Sequence, residues 1–126
     1  MFEISAKFSI SSAHFLRNYE GKCKNLHGHN WKITVYAAGG TLSEKTGMLL
    51  DFGELKRLMK IIENELDHKS LNECSYFTDA NPTAENIAKY VYQRMSFLIE
   101  EHGHKNVKIS KVSVFETENC EALYYE

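Results

Sequence analysis

The run from His27 to Ala38 constrains this chain more than any other stretch. Asn30-Trp31-Lys32-Ile33-Thr34-Val35-Tyr36 alternates polar and apolar residues, the pattern of a half-buried strand, and Gly39-Gly40 breaks it. Two imidazoles, His27 and His29, stand where that strand begins, with Gly28 between them and Cys23 just upstream. Side chains at i and i+2 of a strand share a face, so both rings are predicted to point the same way. Gly28 adds no side chain and lets another backbone or a ligand approach. Upstream, Phe2 to Ile10 alternates as a first strand, and its phase carries on through Ser12 to His14. Residues 17 to 25 are polar and turn-rich and read as the connecting loop. An antiparallel pairing of these two strands would bring His14 to His27 and His29.

After Gly40 the period changes. Asp51 is a good helix N-cap, with Glu54 completing a capping-box pattern, and Leu55, Leu58, Met59, Ile62 and Leu66 follow at helical spacing. That helix stops near Asp67-His68-Lys69. Asn81-Pro82-Thr83 opens a second helix, with the proline expected in its first turn and an apolar stripe of Ile87, Val91, Met95, Leu98 and Ile99. His102-Gly103-His104 ends it. This second HGH is better explained by a glycine C-cap and a histidine at the negative end of the helix dipole than by metal binding. Lys108 to Glu116 alternates again, Thr117-Glu118-Asn119 is a turn, and Cys120 to Tyr125 returns. The order ββααββ is an α+β layout: a four-stranded antiparallel sheet with two helices on one face.

The chain has 126 residues, the size of one domain spanning 1–126. A domain of this size buries about two thirds of its unfolded surface, enough for one core. The formal net charge of −2 argues against a nucleic-acid surface. There is no long apolar run or signal-peptide pattern, which points to a cytoplasmic protein. Cys23, Cys74 and Cys120 are an odd set without scaffold spacing, consistent with free thiols in a reducing compartment.

Each candidate site residue has a plainer reading from local sequence alone. An HxH pair can be surface polarity. A histidine on an apolar strand face, as His14 is predicted to be, is often a satisfied core residue. Asp67-His68 can be a solvated helix terminus. Glu116 can be an exposed strand-end charge, and Glu85 an early helical acid placed by the dipole.

Taken together, Ser12-Ala13-His14, Cys23 with His27-Gly28-His29, Gly47-Met48-Leu49-Leu50-Asp51-Phe52, Leu66-Asp67-His68-Lys69-Ser70-Leu71-Asn72, Asn81-Pro82-Thr83-Ala84-Glu85-Asn86 and Glu116-Thr117 cover nearly the whole chain. With these motifs the chain resembles the 6-pyruvoyltetrahydropterin and 6-carboxytetrahydropterin synthase family, which has the tunnelling fold (T-fold). The resemblance implies a catalytic zinc held by His14, His27 and His29, with Cys23, Asp67, His68 and Glu116 in the active site. Three imidazoles and an open position suit a catalytic rather than a structural zinc. Cys23 is then expected as a general base, since a nearby metal favours the thiolate. The alternatives for it are a fourth ligand, which would close the site, and a plain buried cysteine.

The resemblance gives His68 the role of moving a proton, with Asp67 either fixing its tautomer or supporting a neighbour; adjacency alone does not bond the two. Glu116 is expected to anchor the 2-amino and ring N–H edge of a pterin, and Glu85 is a further substrate-binding candidate. Arg17, Lys22 and Lys24 are candidate phosphate contacts. Three residues separate Cys23 from His27, a spacing typical of the 6-carboxytetrahydropterin synthase branch, the queuosine route. The implied reaction converts 7,8-dihydroneopterin triphosphate to 6-carboxytetrahydropterin, acetaldehyde and triphosphate. The pyruvoyl-forming activity and a non-catalytic zinc-containing T-fold module are the alternatives. The resemblance also implies a homo-oligomer, a hexamer built from two trimers, with active sites at subunit interfaces.

Overall fold

The two alternating runs at the start of the chain form a long antiparallel hairpin: β1 (Phe2–His14) pairs with β2 (His27–Gly39) in continuous register from Phe2 opposite Gly39 to His14 opposite His27. The computed structural model describes residues 1–126. Helices α1 (Phe52–Leu66) and α2 (Ala84–Glu101) follow, then β3 (Lys108–Thr117) and β4 (Cys120–Tyr124). The strands lie in the order β1-β2-β3-β4, all antiparallel, so β1 and β4 are the sheet edges. The expected ββααββ order is the observed one.

The sheet face that meets the helices follows the alternation. Ile10 faces Trp31, Phe8 faces Ile33, and Ala6 faces Val35 across the hairpin, while Val112 and Val114 extend the same surface on β3. Helix α1 lies over β1, and α2 lies over β3 and β4. Leu55, Leu58, Met59, Ile62 and Leu66 of α1 and Ile87, Val91, Met95, Leu98 and Ile99 of α2 are buried against them. Each such side chain contributes about 1.5–3 kcal/mol on leaving water, which is why the apolar stripe and not helix propensity fixes these helices in place.

The helix ends differ in detail from the expectation. The Asp51 carboxylate accepts from the N–H groups of Gly53 (2.6 Å) and Glu54 (3.3 Å), a proper N-cap. The Glu54 carboxylate turns to Arg57 and His104, so the second half of the capping box does not form. Pro82 precedes the N-cap Thr83 rather than sitting in the first turn of α2, which leaves its carbonyl free of the helix. At the other end the Gly103 and His104 N–H groups bond to the Glu100 and Ile99 carbonyls, and Gly103 has φ +80. This pair of hydrogen bonds over a left-handed glycine closes α2, and the second HGH is a helix cap.

Between the helices, the segment after α1 runs beside the end of β1. The His68 N–H donates to the Ser11 carbonyl (2.8 Å) and the Ala13 N–H to the Lys69 carbonyl (2.9 Å). Residues 67–70 therefore cover part of an otherwise open strand edge and bring the Asp67-His68 turn to the end of the hairpin that carries the histidines.

Candidate metal centre and active site

His14, His27 and His29 converge at that end of the hairpin. One nitrogen from each lies within 4.8 Å of the others. The strand register causes this: His14 is the cross-strand partner of His27, and Ser12 of His29, all on the helix-facing side. Trp31, fully buried, packs edge-on beneath His14 (4.9 Å between centroids) and His29 (5.0 Å) and closes the floor. The Trp31 indole N–H is held by the Ser12 carbonyl at 3.2 Å.

The tautomers are set by backbone carbonyls. His14 Nδ1 lies 2.7 Å from the Pro82 carbonyl oxygen, and His27 Nδ1 lies 2.6 Å from that of Asn25. A carbonyl can only accept, so both Nδ1 atoms carry the proton. The two Nε2 atoms then face each other at 3.1 Å with bare lone pairs. The Nε2 atom of His29 is buried without a hydrogen-bond partner. Burial pushes both His14 and His29 below the ordinary histidine range, favouring neutral rings. The facing Nε2 lone pairs of His14 and His27 repel each other unless a cation lies between them, and the unpartnered Nε2 of His29 stands beside them. The 3.1 Å separation is close to the roughly 3.3 Å expected for two nitrogens 2.0–2.1 Å from one tetrahedral ion. The donor set fits zinc, and its carbonyl partners are the kind that orient ligating histidines.

The other expected residues divide. Cys23 is half-buried in a short turn, Lys22–Lys24, and its carbonyl accepts from Leu16 N–H at 2.8 Å, but its sulfur is not among the clustered donors. Asp67 and His68, adjacent in sequence, do bond to each other: Asp67 Oδ2 lies 2.8 Å from His68 Nδ1. The other Asp67 oxygen accepts from the Ser11 N–H at 2.8 Å. This backbone bond, and then the contact with His68, hold the Asp67 carboxyl below its ordinary range. His68 has φ +54, an uncommon backbone for a residue with a side chain, and its ring is largely exposed. Glu116, at the end of β3, places Oε1 3.8 Å from His29 Nε2, too long for a hydrogen bond. Glu85 is exposed in the first turn of α2, where the helix dipole alone accounts for it. A shallow groove of about 480 Å³ beside the Asp67-His68 turn is lined by Ala13, Gly28, His29 and His68; of the three clustered histidines it includes His29 alone.

Arg17 is not a free phosphate contact. Its guanidinium donates to the carbonyls of Phe77 (2.6 Å) and Ala80 (2.9 Å) and to the Asn81 side chain (3.3 Å). Sequence reading missed the supporting groups: the Asn25 and Pro82 carbonyls, the Trp31 floor, and the side-chain amides of Asn72 and Asn81. A carbonyl leaves no mark in a sequence, and an asparagine in a polar loop is unremarkable. Only the placement of Pro82 before a helix hinted at a fixed turn.

Comparison with known proteins bears on the family and the fold. The profile of the family described as 6-pyruvoyl tetrahydropterin synthase matches residues 3–126. The 6-carboxy-5,6,7,8-tetrahydropterin synthase of Synechocystis sp. is 36% identical, with 99% of this chain and 94% of that protein covered. The human 6-pyruvoyl tetrahydrobiopterin synthase is 33% identical, with 97% and 90% covered. The solved structure of the Caenorhabditis elegans 6-pyruvoyl tetrahydropterin synthase superposes with a TM-score of 0.87 at 25% identity, covering 99% of this chain and 95% of that one.

Proposed function

The chain belongs to the 6-pyruvoyl tetrahydropterin synthase family, and on that premise we propose that it is a zinc-dependent 6-carboxy-5,6,7,8-tetrahydropterin synthase of the cytoplasm, serving queuosine biosynthesis. As a lyase it would convert 7,8-dihydroneopterin triphosphate to 6-carboxytetrahydropterin, acetaldehyde and triphosphate. The observation that carries the reading is the convergence of one ring nitrogen each from His14, His27 and His29, with the Nε2 lone pairs of His14 and His27 left free by the carbonyls that hold their Nδ1–H groups, beside the Asp67–His68 pair.

His14, His27 and His29 would hold the zinc, which supplies Lewis acidity toward side-chain oxygens of the substrate. Cys23, four positions before His27 and outside the ligand set, is the proposed general base. Asp67 holds the proton of His68 on Nδ1, which leaves Nε2 facing outward to take or give one. Glu116 is the proposed anchor for the pterin's amino edge, and its carboxylate also lies near enough to His29 to feel the charge of that site. Glu85, exposed in the first turn of α2, is a further proposed substrate contact.

The short Cys23–His27 spacing favours the carboxy product. The human relative, almost as similar as the cyanobacterial one, supports the pyruvoyl product as a second reading. The test is a product assay on 7,8-dihydroneopterin triphosphate. Acetaldehyde released together with triphosphate is the expected result. Triphosphate without acetaldehyde would establish the pyruvoyl activity instead, and no turnover by zinc-loaded protein would leave a binding module.

A further inference from the structure

Past Ser9 the outer edge of β1, and the residues that continue it to Arg17, have no strand beside them, yet their outward-facing N–H groups are bonded in sequence. Ser11 donates to the Asp67 carboxylate, Ala13 to the Lys69 carbonyl, Phe15 to Asn72 Oδ1 (2.9 Å) and Arg17 to Asn81 Oδ1 (2.9 Å). The two asparagines do more than accept. Asn72 Nδ2 donates back to the Phe15 carbonyl (3.0 Å), and Asn81 Nδ2 to the Arg17 carbonyl (2.8 Å). A primary amide offers the same acceptor and donor as a peptide unit, so each asparagine replaces one residue of a neighbouring strand. Both partners being backbone, only one orientation of each amide satisfies the pairs. On the inner side the Leu16 N–H bonds to the Cys23 carbonyl. Residues 15–17 are thus clamped between Cys23 and the two amides.

Asn81 immediately precedes Pro82, whose carbonyl sets the tautomer of His14. The Asn81 carbonyl is itself pinned by Asn86 Nδ2 at 2.9 Å, and Arg17 ties the approach to it through Ala80. Moving Asn81 therefore moves the one acceptor that keeps the His14 proton on Nδ1.

We propose that Asn72 and Asn81 are positioning residues of the metal centre: their amides substitute for a missing strand, and Asn81 thereby holds the Pro82 carbonyl against His14 and keeps His14 Nε2 turned toward His27 and His29. The inference rests on reading the three histidines as metal ligands. Its test compares wild type, Asn72→Ala, Asn81→Ala and Asn81→Asp, the last keeping the acceptor for Arg17 but losing the donor. Zinc affinity is measured by chelator competition, and the His14 tautomer by ¹⁵N NMR of histidine-labelled protein stripped of metal. Asn81→Ala is expected to bind zinc 10- to 100-fold more weakly, the usual cost of losing support behind a ligand, and to show mixed His14 tautomers. Asn81→Asp should lie between it and wild type, and Asn72→Ala should show a smaller loss. If Asn81→Ala does not fold, Asn81→Asp carries the test alone. Wild-type zinc affinity and an unchanged tautomer in the folded Asn81 variants would overturn the proposal. Failure of the wild type to bind zinc would instead overturn the metal reading, while the tautomer comparison would still decide whether Asn81 positions His14.

Discussion

Two carbonyl oxygens, those of Asn25 and Pro82, determine what the histidines can do. By accepting from the Nδ1–H groups they leave Nε2 as the only coordinating atom on His14 and His27, and they aim both at one point. Cys23 stands outside that point, so ligand and base are separable by mutation. His27→Ala should lose most of its bound zinc, measured by elemental analysis of purified protein. Cys23→Ala should keep zinc and lose turnover by about 10²-fold or more, the scale of a positioned acid or base. Zinc lost from Cys23→Ala would make the thiol a ligand and remove it as the base. The histidine trio was visible in the sequence because strand alternation places i and i+2 on one face. The bond between Asp67 and His68 was not, because neighbouring side chains meet only when the backbone between them takes an unusual turn, here at His68 with φ +54.

The start of α1 is tied to the far end of α2 by charge. Glu54 Oε1 lies 3.1 Å from His104 Nε2, and its carboxylate takes two bonds from Arg57. The Arg57 bonds first, and His104 second, hold the Glu54 carboxyl at about 2, against 4.5 for the free group. A folded-state value below the unfolded one stabilises the protein above about pH 4.5, and that stability is lost as pH falls from there toward 2. Arg57 is over half exposed, so screening limits the contribution to about 1 kcal/mol, well short of the full shift. Glu54→Gln should lower the melting temperature by a few degrees at pH 6, and the difference should vanish near pH 2 in scanning calorimetry. An equal gap at both pH values would show that the charge contributes nothing. Helix and strand periodicity made these elements legible, with strand ends close to those expected. Between the two helices, Leu71–Glu73 and Ser75–Phe77 form single 3₁₀ turns that no helical or strand period announces. What holds them is contact with residues 15–17, some sixty positions away in sequence, and no local pattern reports that. The capping box failed for a related reason: Glu54 found stronger partners in Arg57 and a distant histidine.

At the scale of the molecule the unfinished business lies on the two sheet edges. The outer side of β1 is covered only from Ser11 onward, and the two-residue repeat turns the N–H groups of Ser5, Lys7 and Ser9 outward with nothing beside them. β4, from Cys120 to Tyr124, is equally open on its far side. Unpaired edges of this length recruit other strands, and an edge pair of unlike strands repeated around an axis closes a ring. The chain is therefore expected to assemble as a ring with β1 of one subunit against β4 of the next, two trimeric rings making a hexamer. Apolar side chains left exposed beside the β1 edge, Phe2 and Phe52 among them, would gain cover in such an assembly. Lys7→Pro is the informative variant. It removes one outward N–H while leaving the bonds to β2 intact, the position in a sheet where proline is tolerated. Light scattering at micromolar concentration should find wild type at a multiple of the 14.5 kDa chain mass, and Lys7→Pro shifted toward the single chain with its zinc retained. If neighbours complete the active site, turnover should fall with the assembly. A wild type that is monomeric and fully active would refute both the ring and the shared site.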